Sequence, residues 1–266
     1  MCTSTHFFLG ANSGRGFQSL FDRFCEPADF DDLLVLKGSA GCGKSTMMRR
    51  IGEAMEERGE EVEYLHCSGD PDSLDGVHIP RLRTAVVDGT SPHVVEPKYP
   101  AAVERYVNLG AYWDLAGIKG EREAVTQWSE ACSAAYRRAY RALGAARQME
   151  DSAAALAAEG MDFDKLQRRT DGILARELRG RGGGGADRWR FLGSLTCRGP
   201  VWRFDTAGTL CPKIYQIQDS YGLAWPMLER VHAAARARGF RAVVWPSPGH
   251  PDRVGHLLRP GPGLGF

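Results

Sequence analysis

Apolar positions along this chain change period twice: strand-like runs stand near both ends, and a long helical stretch fills the middle. His6-Phe7-Phe8-Leu9 is a short apolar run, Gly10 to Gly16 interrupts it, and the segment Phe17 to Phe24 predicts a short helix after the turn. Leu33-Leu34-Val35-Leu36 is continuously apolar and predicts a buried strand. From Ser45 to Arg58, Met47, Met48, Ile51 and Met55 fall on one side of a helix that closes on a basic last turn and Gly59. Glu61 to Cys67 alternates and predicts the next strand, Ser68 to Gly76 a loop, and Thr84-Ala85-Val86-Val87-Asp88 a further strand. Strand, helix and strand in this order predict a parallel βαβ unit. Such sheets bind ligands outside the carboxyl ends of their strands, which brings His66, Cys67 and Asp70 toward a ligand by topology.

Between Val103 and Leu178 the period becomes helical. Val125, Trp128, Cys132, Ala135, Ala139, Ala142, Ala146, Met149, Ala153 and Leu156 recur at spacings of three and four, a seam that predicts a buried helix face. Gly160 ends it, and Phe163, Leu166, Ile173, Leu174 and Leu178 mark a second, shorter helix, so a helical hairpin is expected over residues 101–180. The arginines of this stretch are expected on its solvated face. Residues 181–187 predict a flexible glycine-rich linker.

The segment 188–266 repeats the beginning. Arg58-Gly59 returns as Arg238-Gly239, Asp70-Pro71-Asp72 as His250-Pro251-Asp252, and Phe8-Leu9-Gly10 as Phe191-Leu192-Gly193. This matching order predicts a duplicated half-unit. The expected organisation is a nucleotide-binding core in 1–100, the hairpin in 101–180, the linker in 181–187 and a second, degenerate half in 188–266, with that second half expected to be incomplete.

Charge adds little. The chain has 34 basic and 33 acidic residues among 266, so no global field points to nucleic acid or an anionic membrane. Seven scattered cysteines without a C-x-x-C pair predict reduced thiols. With no signal-like N-terminus and no membrane-length apolar run, a cytoplasmic protein is expected.

The chemistry is concentrated in Gly38-Ser39-Ala40-Gly41-Cys42-Gly43-Lys44-Ser45-Thr46, which fits G-x-x-x-x-G-K-[ST] between a strand and a helix. Only a glycine-rich turn brings backbone N–H groups close enough to wrap a phosphate chain, and the following helix points its free N-terminal amides at the same anion. This predicts ATP binding, with Lys44 at the β- and γ-phosphates and the Ser45 hydroxyl on Mg²⁺. Asp88, at the tip of a β-branched run, is the candidate second Mg²⁺ ligand and catalytic acid, with Asp70 and Asp75 as alternatives. Gly89 follows it where many motor ATPases carry glutamate, which predicts slow hydrolysis. In the second half the corresponding stretch is Asp219-Ser220-Tyr221-Gly222-Leu223-Ala224-Trp225-Pro226, without lysine and with an acid expected to repel phosphate.

Together with the stretches Tyr64 to Val77 and Val86 to Val95, these motifs resemble a poorly characterised bacterial family of P-loop ATPases or nucleotide-kinase-like proteins with two tandem P-loop-like halves. The resemblance implies an α/β, P-loop NTPase-type parallel sheet with a helical insert, ATP binding by Gly38 to Thr46, and site roles for Asp88 and His93. Three activities are compatible: an Mg²⁺-dependent ATPase, a nucleotide or small-molecule kinase, and a nucleotide-gated interaction module without turnover. The protein partner or phosphoryl acceptor is not legible.

Overall fold

A computed structural model of the protein describes residues 4–259 and 263–266. In chain order the first half contains β1 (Ser4–Phe8), β2 (Gly10–Ser13), β3 (Gly16–Ser19), α1 (Phe21–Phe24), β4 (Asp32–Lys37), α2 (Lys44–Glu56), β5 (Val62–His66), β6 (Leu74–Ile79), β7 (Thr84–Asp88) and β8 (Glu104–Asn108). Three helices follow, α3 (Leu115–Gly120), α4 (Arg122–Glu159) and α5 (Phe163–Glu177). The second half contains β9 (Arg188–Trp189), β10 (Gly193–Thr196), β11 (Gly199–Trp202), α6 (Phe204–Leu210), β12 (Lys213–Ile214), α7 (Trp225–Ala237), β13 (Val243–Pro246), β14 (Val254–Arg259) and β15 (Leu264–Gly265).

The fold is α/β with mixed sheets. The first sheet runs β1-β5-β6-β7-β4-β8 and the second β9-β13-β14-β15-β12. Strand for strand the two orders coincide, apart from β8, and so do the directions: β6 and β14 are antiparallel to both neighbours. The expected all-parallel sheet is therefore corrected. The stretch assigned to a loop after Cys67 already contains the start of β6, which returns between β5 and β7. Registers match too. His66 pairs with Leu74 across a bulge in the first sheet, and Pro246 pairs with Val254 across a bulge in the second, each 180 positions on.

Alternation along β4 explains the layers. Leu33 and Val35 face a central core shared by both halves, with Phe7, Phe8, Phe191 and Trp245, whereas Leu36 faces the opposite side under α2, with Met48, Val62 and Val86. In the second half α7 and α5 cover the outer face through Leu228, Val231, Leu174 and Leu178. Each such fully buried side chain contributes about 1.5–3 kcal/mol.

The halves are joined by exchange. Phe8 and Phe191 trade backbone hydrogen bonds (2.9 and 2.8 Å) at equivalent positions, so the pseudo-twofold axis passes between them. Helix α6 lies on β1 and α1 on β9. Arg15 of one hairpin reaches Asp252 (3.5 Å), and its counterpart Arg198 reaches Asp72, the counterpart of Asp252. Of the helix expected over Phe17 to Phe24, only Phe21–Phe24 is helical, as α1, and Phe17 to Ser19 belong to β3.

The long helix also departs from expectation. None of α4 is buried, and Trp128, Met149 and Leu156 of the expected seam are 74%, 75% and 71% exposed. The helix instead presents the neighbouring stripe of Tyr140, Leu143, Gly144, Arg147, Asp151 and Ala154, all half-buried. Gly14 and Gly144 allow this docking: a Cβ on Gly14 would lie 2.9 Å from the Leu143 carbonyl oxygen. The Tyr140 hydroxyl donates to Asn12 Oδ1 at 2.9 Å. Helix α5 turns away from α4 and packs on α7, so the two do not form a self-packed hairpin. The glycine-rich segment is pinned, with Gly182 and Gly184 donating to the Arg238 and Gly239 carbonyls (both 2.9 Å). No helix among the described residues is long and apolar enough to cross a membrane.

Candidate functional site

Strand β4 ends at Lys37 and α2 starts at Lys44, leaving a tight loop over Gly38 to Gly43. Gly41 (φ +79°) and Gly43 (φ +89°) take the left-handed conformation that other residues adopt only with strain. No side chain caps the N-terminus of α2, and its first turn carries no acid. The amide groups and the positive end of the helix dipole are therefore unopposed by any carboxylate of their own helix.

Lys44 folds back over the loop, donating to the carbonyls of Gly38 (3.1 Å) and Ser39 (2.8 Å) and to Cys42 Sγ (3.7 Å). Its Nζ lies 3.5 Å from Asp88 Oδ2, with the two side chains only 9% and 14% exposed. Asp88 is brought there because β7 pairs beside β4 in the register Leu36 opposite Asp88. Thr90 then fixes the corner: its N–H donates to Asp88 Oδ1 (2.8 Å) and its hydroxyl to the Gly38 carbonyl (2.9 Å). Lys37 Nζ donates to the carbonyls of Gly89 and Val95. Ser45 Oγ accepts the N–H of Leu74 at 3.0 Å, tying α2 to β6.

The structure thus brings Gly38 to Thr46 and Asp88 together. Asp70 closes its own turn instead, accepting from the Asp72 amide and the Ser73 hydroxyl. Asp75 and His93 form a separate buried contact. His66 lies at the seam between halves. Its Nδ1 donates to the Pro71 carbonyl (2.8 Å), and its Nε2 accepts from His6 Nδ1 (3.0 Å). Burial, then the Arg203 guanidinium, push its pKa down to about 3, so it is neutral at pH 7 and serves the joint. Thr90 and Lys37 had no separate sequence signature. Their only signal is proximity to the ends of the two paired strands.

At the equivalent place in the second half, Asp219 occupies the loop. Its carboxylate accepts the amides of Tyr221 (3.3 Å), Leu223 (2.9 Å) and Ala224 (2.7 Å) just ahead of α7. The acid expected to oppose phosphate is thus held by the loop's own donors. A cleft of about 790 Å³ opens beside this loop, walled by Trp202, Phe204, Tyr215, Trp225 and His256. Its size does not make it the candidate site, because it offers no lysine and no free amide cradle at the helix start. Burial pushes His256 down to about 4, so that wall is neutral.

The halves are locked by one buried ionic cluster. Glu63 on β5 accepts from Arg190 (3.0 Å) and lies within 2.8 Å of His78 and 3.5 Å of Arg188. Burial works against its charge, yet Arg190, the His78 hydrogen bond and Arg188 hold the carboxyl well below its usual range. Compared with protein family models, curated proteins and solved structures, the chain matches none.

Proposed function

We propose that the Gly38–Thr46 loop binds the phosphates of a nucleoside triphosphate, ATP being the expected one, and that the protein is an Mg²⁺-dependent ATPase on a P-loop-type scaffold. One observation carries this reading: the Lys44 ammonium at the start of α2 and the Asp88 carboxylate at the end of β7, the parallel neighbour of β4, converge to 3.5 Å at the mouth of an uncapped glycine loop. A metal–triphosphate needs these opposite charges side by side, a cation and amides for phosphate oxygens, a carboxylate and a hydroxyl for the metal.

The donor set fits. Ser45 Oγ takes one N–H and retains a lone pair, and Asp88 Oδ2 faces Lys44 while Oδ1 is held by Thr90. Ser45 and Asp88 would hold Mg²⁺, which when bound neutralises charge on the β- and γ-phosphate oxygens. Lys44 exchanges two loop carbonyls for phosphate oxygens, and the first amides of α2 complete the cradle. Asp88 stays aligned through Thr90. Gly89 contributes no side chain, and its N–H is committed to the Leu36 carbonyl at 3.0 Å. This chain therefore places no acid directly after Asp88 to orient water, and turnover is expected to be slow.

A second reading, a nucleotide-gated module without turnover, draws on α4, which touches the first half through Tyr140 and Gly144 and the second through Asp151, beside His250 and Arg253, while keeping its apolar stripe outward. Binding of Mg-ATP and release of ADP and phosphate, measured for the protein and Lys44→Ala, separate the readings. Lys44-dependent release of both products supports the ATPase. Lys44-dependent binding without release supports the module, and ADP without free phosphate indicates another acceptor. Binding unaffected by Lys44→Ala overturns the proposal.

A further inference from the structure

Cys67, just beyond β5, Asp75 on β6 and His93 in the segment after β7 meet from three separate stretches of chain. A sulfur, a carboxylate oxygen and an imidazole nitrogen, one from each, all lie within 4.8 Å of one another. Asp75 and His93 are 4% and 6% exposed, and Cys67 is half-buried. Asp75 Oδ2 stands 3.1 Å from His93 Nε2, yet neither that oxygen nor His93 Nδ1 has a hydrogen-bond partner among the described residues. Phe21 stacks on the His93 ring (4.6 Å between centroids) and Phe17 meets it edge-on (5.2 Å), fixing its plane. A buried carboxylate oxygen without a donor is costly, and a cation among these atoms removes that cost.

We propose that Cys67, Asp75 and His93 form a binding site for one divalent transition-metal ion of the zinc type. Sulfur, imidazole and carboxylate together favour such an ion over Mg²⁺ or Ca²⁺, which prefer all-oxygen sets. Bonds of about 2.0–2.3 Å in a tetrahedron place ligand atoms roughly 3.3–3.7 Å apart, a spacing that lies between the 3.1 Å of the Asp75–His93 pair and the 4.8 Å that bounds the cluster. The three groups converge on one point, whereas a thiol–imidazole–carboxylate relay would string them out on opposite ring nitrogens. Burial, then the Asp75 charge, push the Cys67 thiol up to about 12, so metal-free Cys67 is a poor nucleophile at neutral pH. On metal binding Cys67 releases its proton to solvent and ligates as thiolate. Three protein ligands leave a fourth position for water.

The site lies behind both walls of the glycine loop. Leu74, next to Asp75, donates to Ser45 Oγ, and Thr90, three residues before His93, donates to the Gly38 carbonyl. An ion here would brace both walls, but the assignment does not rest on nucleotide binding and its test uses no nucleotide.

The test is Co²⁺ titration of the chelator-stripped full chain, followed by Zn²⁺ displacement. The expected result is one equivalent of Co²⁺ with a thiolate-to-cobalt charge-transfer band and tetrahedral visible absorption, bleached by Zn²⁺. Cys67→Ser abolishes the charge-transfer band, Asp75→Asn and His93→Gln weaken binding at least tenfold, and Cys197→Ser changes nothing. Should Cys67→Ser fail to fold by circular dichroism, Cys67→Ala is read in its place, and in the unaltered chain one equivalent of Zn²⁺ bleaches the whole charge-transfer band. Absence of a saturable band, an intact band in folded Cys67→Ser or Cys67→Ala, or a band that Zn²⁺ does not bleach overturns the proposal.

Discussion

The loops ahead of α2 and α7 occupy equivalent places in two sheets of one strand order, yet they treat their own loop amides in opposite ways. Neither α2 nor α7 has a side-chain cap at its first turn, but the first loop aims Lys44 across its mouth and places no carboxylate on its own amides. The second brings the Asp219 carboxylate onto three amides and carries Trp225 at the first helical position. A duplicated loop can thus become structural by taking an anion from its own sequence. Only the second loop meets its donors with a carboxylate of the chain, and the first keeps its own available for something outside the chain.

The largest expected effect tests whether the two loops belong to one folded body. Glu63→Gln leaves Arg190 buried without its partner and is expected to lower stability by about 3–5 kcal/mol, read by denaturant unfolding at pH 7. The folded-state pKa of Glu63 is depressed, so its contribution is present above the ordinary value of 4.5 and is lost as pH falls through the folded-state value. The unaltered protein should therefore lose stability steeply in acid, and Glu63→Gln should show a shallower acid limb. Equal limbs would deny the cluster its role.

Next in size, Ser39→Asp transplants the second loop's anion into the first. It is expected to weaken Mg-ATP binding by about a hundredfold, roughly 2.7 kcal/mol, with little change in melting temperature. Unchanged affinity would mean that the first loop is no phosphate cradle. The reciprocal change, Asp219→Ala, is expected to cost about 1 kcal/mol of stability, seen as a lowered melting temperature, and to leave ATP affinity as it was. A loss of nucleotide affinity there would erase the distinction between the loops.

Much of this contrast was legible in the residues. The strand Leu33 to Leu36, the helix from Ser45, the motif and Asp88 all follow from local pattern, because a buried strand and a glycine turn leave little choice. The repeat was legible as spaced dipeptides and tripeptides. What escaped was whatever depends on the third dimension. Strand β6 hid in a segment with the composition of a loop, Asp72-Ser73-Leu74-Asp75-Gly76, because its Asp75 is buried beside Cys67 and His93 from neighbouring segments. The seam on α4 pointed the wrong way because apolar spacing identifies a face but not what lies beneath it. Beneath this helix lies the backbone of Gly14, which a glycine and polar side chains approach more closely than leucine or methionine. Cys67, Asp75 and His93 share no spacing that marks them as partners, and only the sheet brings them together.

The exchange at the pseudo-twofold axis also bears on how the chain is made. Phe8 waits for Phe191, 183 positions later (191 − 8), and β1 waits for α6. During synthesis the N-terminal half emerges with apolar surface that its own residues cannot cover, and the long span between partners gives the fold a high contact order. The same arrangement lets one half pair with the complementary half of another chain. The intervening α4, which bridges the halves within one molecule, then acts as the tether that keeps the pairing intramolecular.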